Sequence, residues 1–259
     1  MESGHAVTAM APVLSAGVGA RYESRWAMRM ASFRLDQSDF GSASLGIVTP
    51  RSAAASTLVG LLSGRIAPGY GSLRVLGHDM TLAAGRAAVG RQTGIASRTS
   101  RPMPAVRIRG LVERAAKRSG QPGDDRFLLV AAILDRLALT AWSDVAFGAA
   151  PELIARKARL ALACVHQPKL LIIEGLLDHL QPLDRTVLAD VIRDLERDTA
   201  VVALGSDAEA LSLVCDRVIE LADGILTGCR PPTARDAEVT AEPARAGLAP
   251  RTLPSMILR

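Results

Sequence analysis

Residues 45–77 hold the spacing of a phosphate-binding loop with few of the groups that bind phosphate. The apolar run Leu45–Val48 leads into a turn of small residues, after which Ser56-Thr57 are expected to open an apolar helix ending near Gly64. A loop of the pattern G-x-x-x-x-G-K-[ST] works because backbone N–H groups surround the phosphates while lysine neutralises them. On that spacing the chain offers Thr49, then Pro50, Arg51, Ser52 and Ala53, then Ala54, Ala55 and Ser56, with Thr57 following. Both glycines and the lysine are absent, and only the hydroxyl is kept. One lost charge-assisted hydrogen bond costs about 1.5–3 kcal/mol. An alanine forced to positive φ costs about 1–2 kcal/mol more. Arg51 could replace the missing charge, although a solvated loop arginine is the simpler reading. Ser56 is a candidate ligand of a Mg²⁺ ion, its hydroxyl being a hard oxygen donor. The competing reading makes Ser56 and Thr57 helix-start residues whose hydroxyls cap free N–H groups.

Other reactive side chains are sparse. His78, His166 and His179 have no partner at catalytic spacing. Cys164, Cys215 and Cys229 show neither metal-ligand spacing nor an even count, which favours free buried thiols in a reducing compartment.

The elements that must position these residues follow from hydrophobic periodicity. Strands are expected at Val13–Ser15, Ala31–Leu35, Leu45–Val48, Ser72–Val75, Leu170–Ile173, Ala200–Leu204 and Arg217–Leu221. Apolar runs alternating with helical patterns indicate an α/β core with a mainly parallel sheet. The first, second and fourth runs suggest a small antiparallel layer beside it. Between residues 98 and 150 the pattern is helical, with helices expected at Val106–Arg118 and Arg126–Leu139, separated by Gln121-Pro122-Gly123. Residues 1–11 are expected to be a flexible N-terminus. The Pro-, Ala- and charge-rich stretch from 230 to 259 reads as a disordered tail.

Composition narrows the classes. The chain has 259 residues, 49% hydrophobic but only 3% aromatic, so its core is aliphatic. The formal charge of +5 comes almost wholly from arginine, because Lys117, Lys157 and Lys169 are the only lysines. No basic tract is interleaved with aromatics, which argues against nucleic acid as a partner. No apolar run approaches the ~18 residues that span a bilayer. The apolar N-terminus lacks Lys or Arg before Arg21, which argues against a secretory signal.

Taken in order, these pieces resemble an ATP-binding cassette, the nucleotide-binding subunit of ABC transporters, over about residues 12–229. The stretch APGYGSLRVLGHD matches the family's turn and strand after the phosphate-loop helix. RKARLALACVHQPKLLIIEGLLDHLQPLDR follows its signature helix, Walker B strand and D-loop without a gap, and VVALGSDAEALSLVCDRVIELADGILTG follows its switch strand and last hairpin. The resemblance implies a P-loop NTPase-like α/β cassette with a helical subdomain at about 98–150. It places Tyr22 at the adenine-stacking position, Arg98 at the Q-loop glutamine and Ala150-Pro151-Glu152-Leu153 at the signature. It also places Glu174 at the Walker B aspartate, where it could hold Mg²⁺ through water, Gly175 at the catalytic glutamate, Gln181 at the D-loop aspartate and Ser206 at the switch histidine.

The expectation is therefore a degenerate cassette subunit on the cytoplasmic face of the membrane. It would bind ATP and Mg²⁺ weakly or not at all, hydrolyse little, pair with another cassette in a homo- or heterodimer, and dock a multi-span permease. Two alternatives remain: a soluble, ATP-independent interaction module, and an active ATPase in which Arg51 and Asp178 replace the missing lysine and glutamate.

Overall fold

A computed structural model describes residues 11–22, 25–35, 43–49, 53–100, 102–120, 123–222 and 224–230. Two sheets share the work. The antiparallel sheet has the order β2-β1-β4-β5, formed by β1 (Val13–Tyr22), β2 (Arg25–Leu35), β4 (Tyr70–Val75) and β5 (His78–Asp79). The larger sheet has the order β10-β9-β3-β8-β7-β6 and comprises β3 (Ser44–Val48), β6 (Thr93–Ser97), β7 (Leu170–Glu174), β8 (Ala200–Gly205), β9 (Arg217–Ala222) and β10 (Ile225–Arg230). From β9 through β6 every pairing is parallel, and only β10 runs antiparallel. The expected α/β architecture and antiparallel layer are both present.

Several elements exceed or escape the sequence reading. β1 and β2 span 10 and 11 residues, far longer than the short runs expected. Their register shifts between Ser15 and Arg21 interrupt strict alternation. The bulged part of β1 is held by Tyr70, whose hydroxyl accepts from Met30 N–H at 3.1 Å. A Cβ at Gly19 would lie 2.0 Å from the Tyr70 ring, so any larger residue there would displace that partly exposed ring.

Helix α1 (Ala53–Leu62) begins three residues before Ser56, which corrects the expectation that Ser56-Thr57 open it. The alanine run 53–55 has the strongest helix propensity and carries the helix back toward the turn. Its end is as expected. Gly64, at φ +77°, stops the helix, and a Cβ there would strike the Arg86 carbonyl oxygen at 2.4 Å.

Helix α2 (Ala83–Gln92) and strand β6 were not foreseen. Neither carries a clear apolar periodicity in AAGRAAVGRQ or TGIAS. The helical part contains α3 (Ile108–Arg118), α4 (Gly123–Arg136) and α5 (Glu152–Cys164), with 3₁₀ turns at 140–142 and 147–149. The first of these starts two residues later than expected. The second is shifted by three residues and stops before Leu137. Helices α6 (Pro182–Glu196) and α7 (Ala208–Ser212) complete the fold.

Two apolar clusters sandwich the parallel sheet. One joins α3–α6 to inward residues of β7 and β8, including Ile173, Leu171, Val201 and Ala203. The other joins α1 and the antiparallel sheet to the opposite face, through Ile47, Ile172, Val202 and Leu204. Alternate residues of one strand thus feed different cores, as expected for strands covered on both faces. Cys164 and Cys215 are buried and form no disulfide, and burial pushes the Cys164 thiol up to about 12. The Cys229 side chain lies outside the described residues.

Helix α5 approaches β6 so closely that a Cβ on Gly94 would lie 2.2 Å from the Ala163 carbonyl oxygen. Because that neighbour is backbone, Gly94→Ala should force the two elements apart at a cost of about 1–3 kcal/mol. A lowered urea midpoint with an unchanged m-value would be the expected result.

Candidate functional site

Four parallel strands end side by side. Val48 is level with Gly205, and Leu204 is level with Glu174, which is level with Ser97. The next residues extend the ladder one step: Thr49 N–H donates to Gly205 C=O at 2.9 Å, Gly175 N–H to Leu204 C=O at 2.8 Å, and Arg98 N–H to Glu174 C=O at 2.9 Å. The loops leaving this edge therefore start from fixed positions. In open parallel sheets, ligands sit in the crevice beyond these carboxyl ends.

Asp178 closes one side of the edge. Only 4% exposed, it accepts a hydrogen bond from Ser206 N–H through Oδ1 at 3.0 Å. A Cβ on Gly205 would lie 2.9 Å from the same oxygen, so glycine makes this approach possible. The carboxylate thus ties the loop after β7 to the loop after β8. As a substitute general base it is poorly placed, being buried and committed to an amide.

Arg156 holds the same loop from the other side. It is 2% exposed, and its Nη1 donates to the carbonyls of Leu176 at 2.5 Å and Asp178 at 2.7 Å, while Nε donates to Glu152 at 2.7 Å. The Glu152–Arg156 spacing of four residues is legible in the sequence as a helical pair. That the arginine turns inward to bind backbone is not. Further along, Arg185 pairs with Asp207 at 3.0 Å, and Asp207 caps α7 by accepting from Glu209 and Ala210 N–H.

Arg98 lies beside Gly175, far enough away that a Cβ would fit between them. A Cβ on Gly175 would lie 3.7 Å from the Arg98 Cβ and 3.8 Å from its Nε, and 3.4 Å from Asp178 Oδ2. Arg98 Nε is buried without a hydrogen-bond acceptor. Glu174 is half-buried, and Ser206 is exposed.

The residues expected to hold phosphate divide unevenly. Thr49 is buried, and Ala54 and Ala55 are 8% and 6% exposed within the cluster that contains Ile47 and Leu58. The position resembling the lysine is therefore a core alanine. Ser56 is exposed, one turn inside α1, so it cannot cap the helix start. Thr57 is fully buried and its Oγ1 has no partner, a shortfall worth about 1–3 kcal/mol. Pro50, Arg51 and Ser52 lie outside the described residues, as do the side chains of Ala53 and Tyr22; Tyr22 itself ends β1, opposite Arg25. His78, His166 and His179 stand apart. Burial lowers the His166 pKa.

Solved structures match this arrangement over most of its length. The chain overlays cbiO1 from Clostridium perfringens, part of the ABC transporter complex cbiONQ, with a TM-score of 0.75 at 16% identity, covering 88% of this chain and 92% of that one. The fold is that of an ATP-binding cassette. A nucleotide-free ATP-binding cassette from an ABC transporter overlays with a TM-score of 0.71 at 14% identity, covering 90% of this chain and 96% of the other. In sequence, the cassette is 21% identical over 182 residues to ABC transporter A family member 1 of Dictyostelium discoideum, and 19% identical over 182 residues to A family member 8. Those stretches cover 70% of this chain but 20% and 22% of the relatives, so the chain spans about a fifth of their length. No family model matches.

Cassettes typically bind ATP with Mg²⁺. Among the described residues, one group favours that pair and others disfavour it. Thr57 Oγ1 is an orphan hydroxyl that a phosphate oxygen would satisfy. Against it stand a core alanine at the lysine position and the Arg98 guanidinium beside Gly175. Among the described residues no group of three His, Cys, Asp or Glu could hold a metal ion.

Arg156 and Glu152 give a contrast that tests this geometry. Arg156→Ala would unpair two carbonyls at about 1–3 kcal/mol each, whereas Glu152→Ala leaves one group, the Arg156 Nε, unpaired at about 1–3 kcal/mol. Urea denaturation of the two variants should separate them clearly, and equal losses would refute the backbone-clamp role of Arg156.

Proposed function

We propose that this chain is a degenerate ATP-binding cassette subunit of an ABC transporter, retaining the shape of the cassette and little of its nucleotide chemistry. The observation that carries this reading is the pair Arg98 and Gly175, a cationic side chain against a residue with none, at the edge where the family polarises water. Losing a general base typically costs ~10²–10⁴-fold in rate. Ser206 at the switch position adds no imidazole, and Asp178 is buried against Ser206 N–H.

A second cassette would not restore the site. By resemblance, each site of a cassette pair uses one phosphate loop and the partner's signature. Here Pro151 precedes α5 without an N–H to donate, and Glu152 brings a negative charge to the first turn of that helix. Carboxylates are favoured at helix N-termini for the same reason phosphates are, so Glu152 competes for the position.

The subunit is placed on the cytoplasmic side, peripheral to the inner face of the membrane, where the helical part at about 98–150 docks a multi-span permease. Support comes from the cassette fold, from the ABC transporters among its relatives, and from the described helices, none of which is long and apolar enough to cross a membrane. Its role is mechanical or regulatory, with a second cassette as the other partner.

Titration calorimetry with Mg-ATP tests the reading, with Tyr22→Ala and Ser56→Ala as controls. The expected outcome is no saturable heat below about 1 mM ATP, equivalent to binding weaker than about 4 kcal/mol. Micromolar binding abolished in both controls, or ATP turnover that disappears in Asp178→Ala, would establish a working nucleotide site and overturn it.

A further inference from the structure

Three helices end together at the far end of the sheet from the candidate site. Arg136 closes α4, Cys164 closes α5, and α6 stops at Glu196, just past Leu195. Between them lies a cavity of about 480 Å³, lined by residues from all three. Pro168 and Thr199, also in its lining, stand just before β7 and β8. The cavity therefore sits at the amino ends of strands whose other ends reach Gly175 and Gly205. Strands of five or six residues put about 17–20 Å between the two places.

Its walls are aliphatic. Ile133, Val165 and Leu195 are 8%, 1% and 3% exposed, and Leu129 is half-buried. Small side chains at Ala132 and Cys164 leave the space open. Packed interiors close over most voids larger than a water molecule, so a hollow of this size needs a strut. Arg136 is that strut. It reaches from α4 to the end of α6, with Nε donating to Asp194 Oδ2 at 2.6 Å, Nη2 to the Asp194 carbonyl at 2.6 Å, and Nη1 paired with Asp198 Oδ2 at 2.7 Å. The same contacts balance the charge of the rim, because Arg197 also pairs with Asp194, at 3.4 Å. The Thr199 hydroxyl is committed to the Pro168 carbonyl at 2.7 Å. Burial keeps the Cys164 thiol protonated, which makes it part of the wall and a poor nucleophile. At the edge stands Gln167, whose side chain is exposed. Helix ends add carbonyl oxygens that lack intrahelical partners.

We propose that this cavity binds an uncharged aliphatic alcohol, its chain against Ile133, Val165 and Leu195 and its hydroxyl at the rim beside Gln167 and the helix ends. The volume lies within the roughly 300–1,000 Å³ of small-molecule sites. Aliphatic walls gain when a hydrocarbon chain replaces water. A hydroxyl both donates and accepts, which suits carbonyl ends on one side and the Gln167 amide on the other. A carboxylate head would meet Asp194 and Asp198, and an ammonium head would meet Arg136. A neutral head leaves those ion pairs intact. Because the lining comes from α4, α5 and the end of α6 at once, an occupied cavity braces the helical part against the sheet and stabilises the folded chain.

The test is titration calorimetry of the full chain with 1-octanol, using octanoate and octylammonium as charged counterparts of equal length. Octanol should saturate a single site, and each charged analogue should bind at least about tenfold more weakly. Ala132→Trp fills the cavity from an exposed position of α4 and should weaken octanol binding at least about tenfold. Leu128→Trp, one turn earlier on the same helix and outside the lining, should leave it unchanged. Circular dichroism checks that both variants keep the fold. Methyl resonances locate the ligand without any substitution: those of Ile133, Val165 and Leu195 should move on saturation, while those of Ile95 and Leu111 stay in place. The proposal is overturned by the absence of saturable octanol binding, by shifts confined to other methyl groups, by a folded Ala132→Trp that binds as before, or by a charged analogue that binds as tightly.

Discussion

A buried guanidinium ties helix α5 to the loop that leaves β7. Arg156 leaves α5 with only 2% of its surface exposed and distributes its donors between Glu152 and the carbonyls of Leu176 and Asp178. Burying a cation is costly unless its hydrogen bonds are met, and here backbone oxygens meet most of them. The loop after β7 takes its shape from those bonds. Asp178 is then positioned to reach across to Ser206, and the loops after β7 and β8 become one body. Gly205 allows the approach because any side chain there would meet the Asp178 oxygen.

The architecture that results is a cassette whose strand ends are better braced than equipped. In a working phosphate site, cationic and N–H donors converge on a gap. Here Ala54 and Ala55 have joined the apolar core, and the part-buried cation at the edge, Arg98, lies against Gly175. On the proposed reading, packing has been kept and the donors have not. That pattern fits a subunit whose contribution to a complex is its shape and its surfaces.

Much of the fold was legible because the buried strands are unambiguous. LLIIE and AVVALG are covered on both faces and read as continuous apolar runs. Elements held by backbone proximity were not legible. TGIAS becomes a strand because Gly94 lets α5 close over it, and AAGRAAVGRQ becomes a helix whose Gly85 would carry a Cβ only 2.1 Å from the Asp79 carbonyl oxygen. The Ser56-Thr57 signal misled because an alanine run extends a helix without needing a cap. At the site, the family spacing identified Arg98, Gly175 and Ser206 as departures. The contact of Asp178 with Ser206, 28 residues apart, depends on β7 and β8 being neighbours, which local pattern does not encode.

Gly175 carries a consequence for the history of the chain. Its φ of +66° lies in the left-handed region, which glycine enters freely and a glutamate only at a cost of about 1–2 kcal/mol. The room for a Cβ is ordinary, since the nearest atoms lie at 3.4–3.8 Å, so the obstacle is the backbone and not crowding. In that conformation a carboxylate at position 175 would strain the turn or reshape it. On the proposed reading the turn thus works as a one-way gate, and a lineage with glycine there would find new uses for its surfaces more readily than it would acquire the hydrolytic carboxylate.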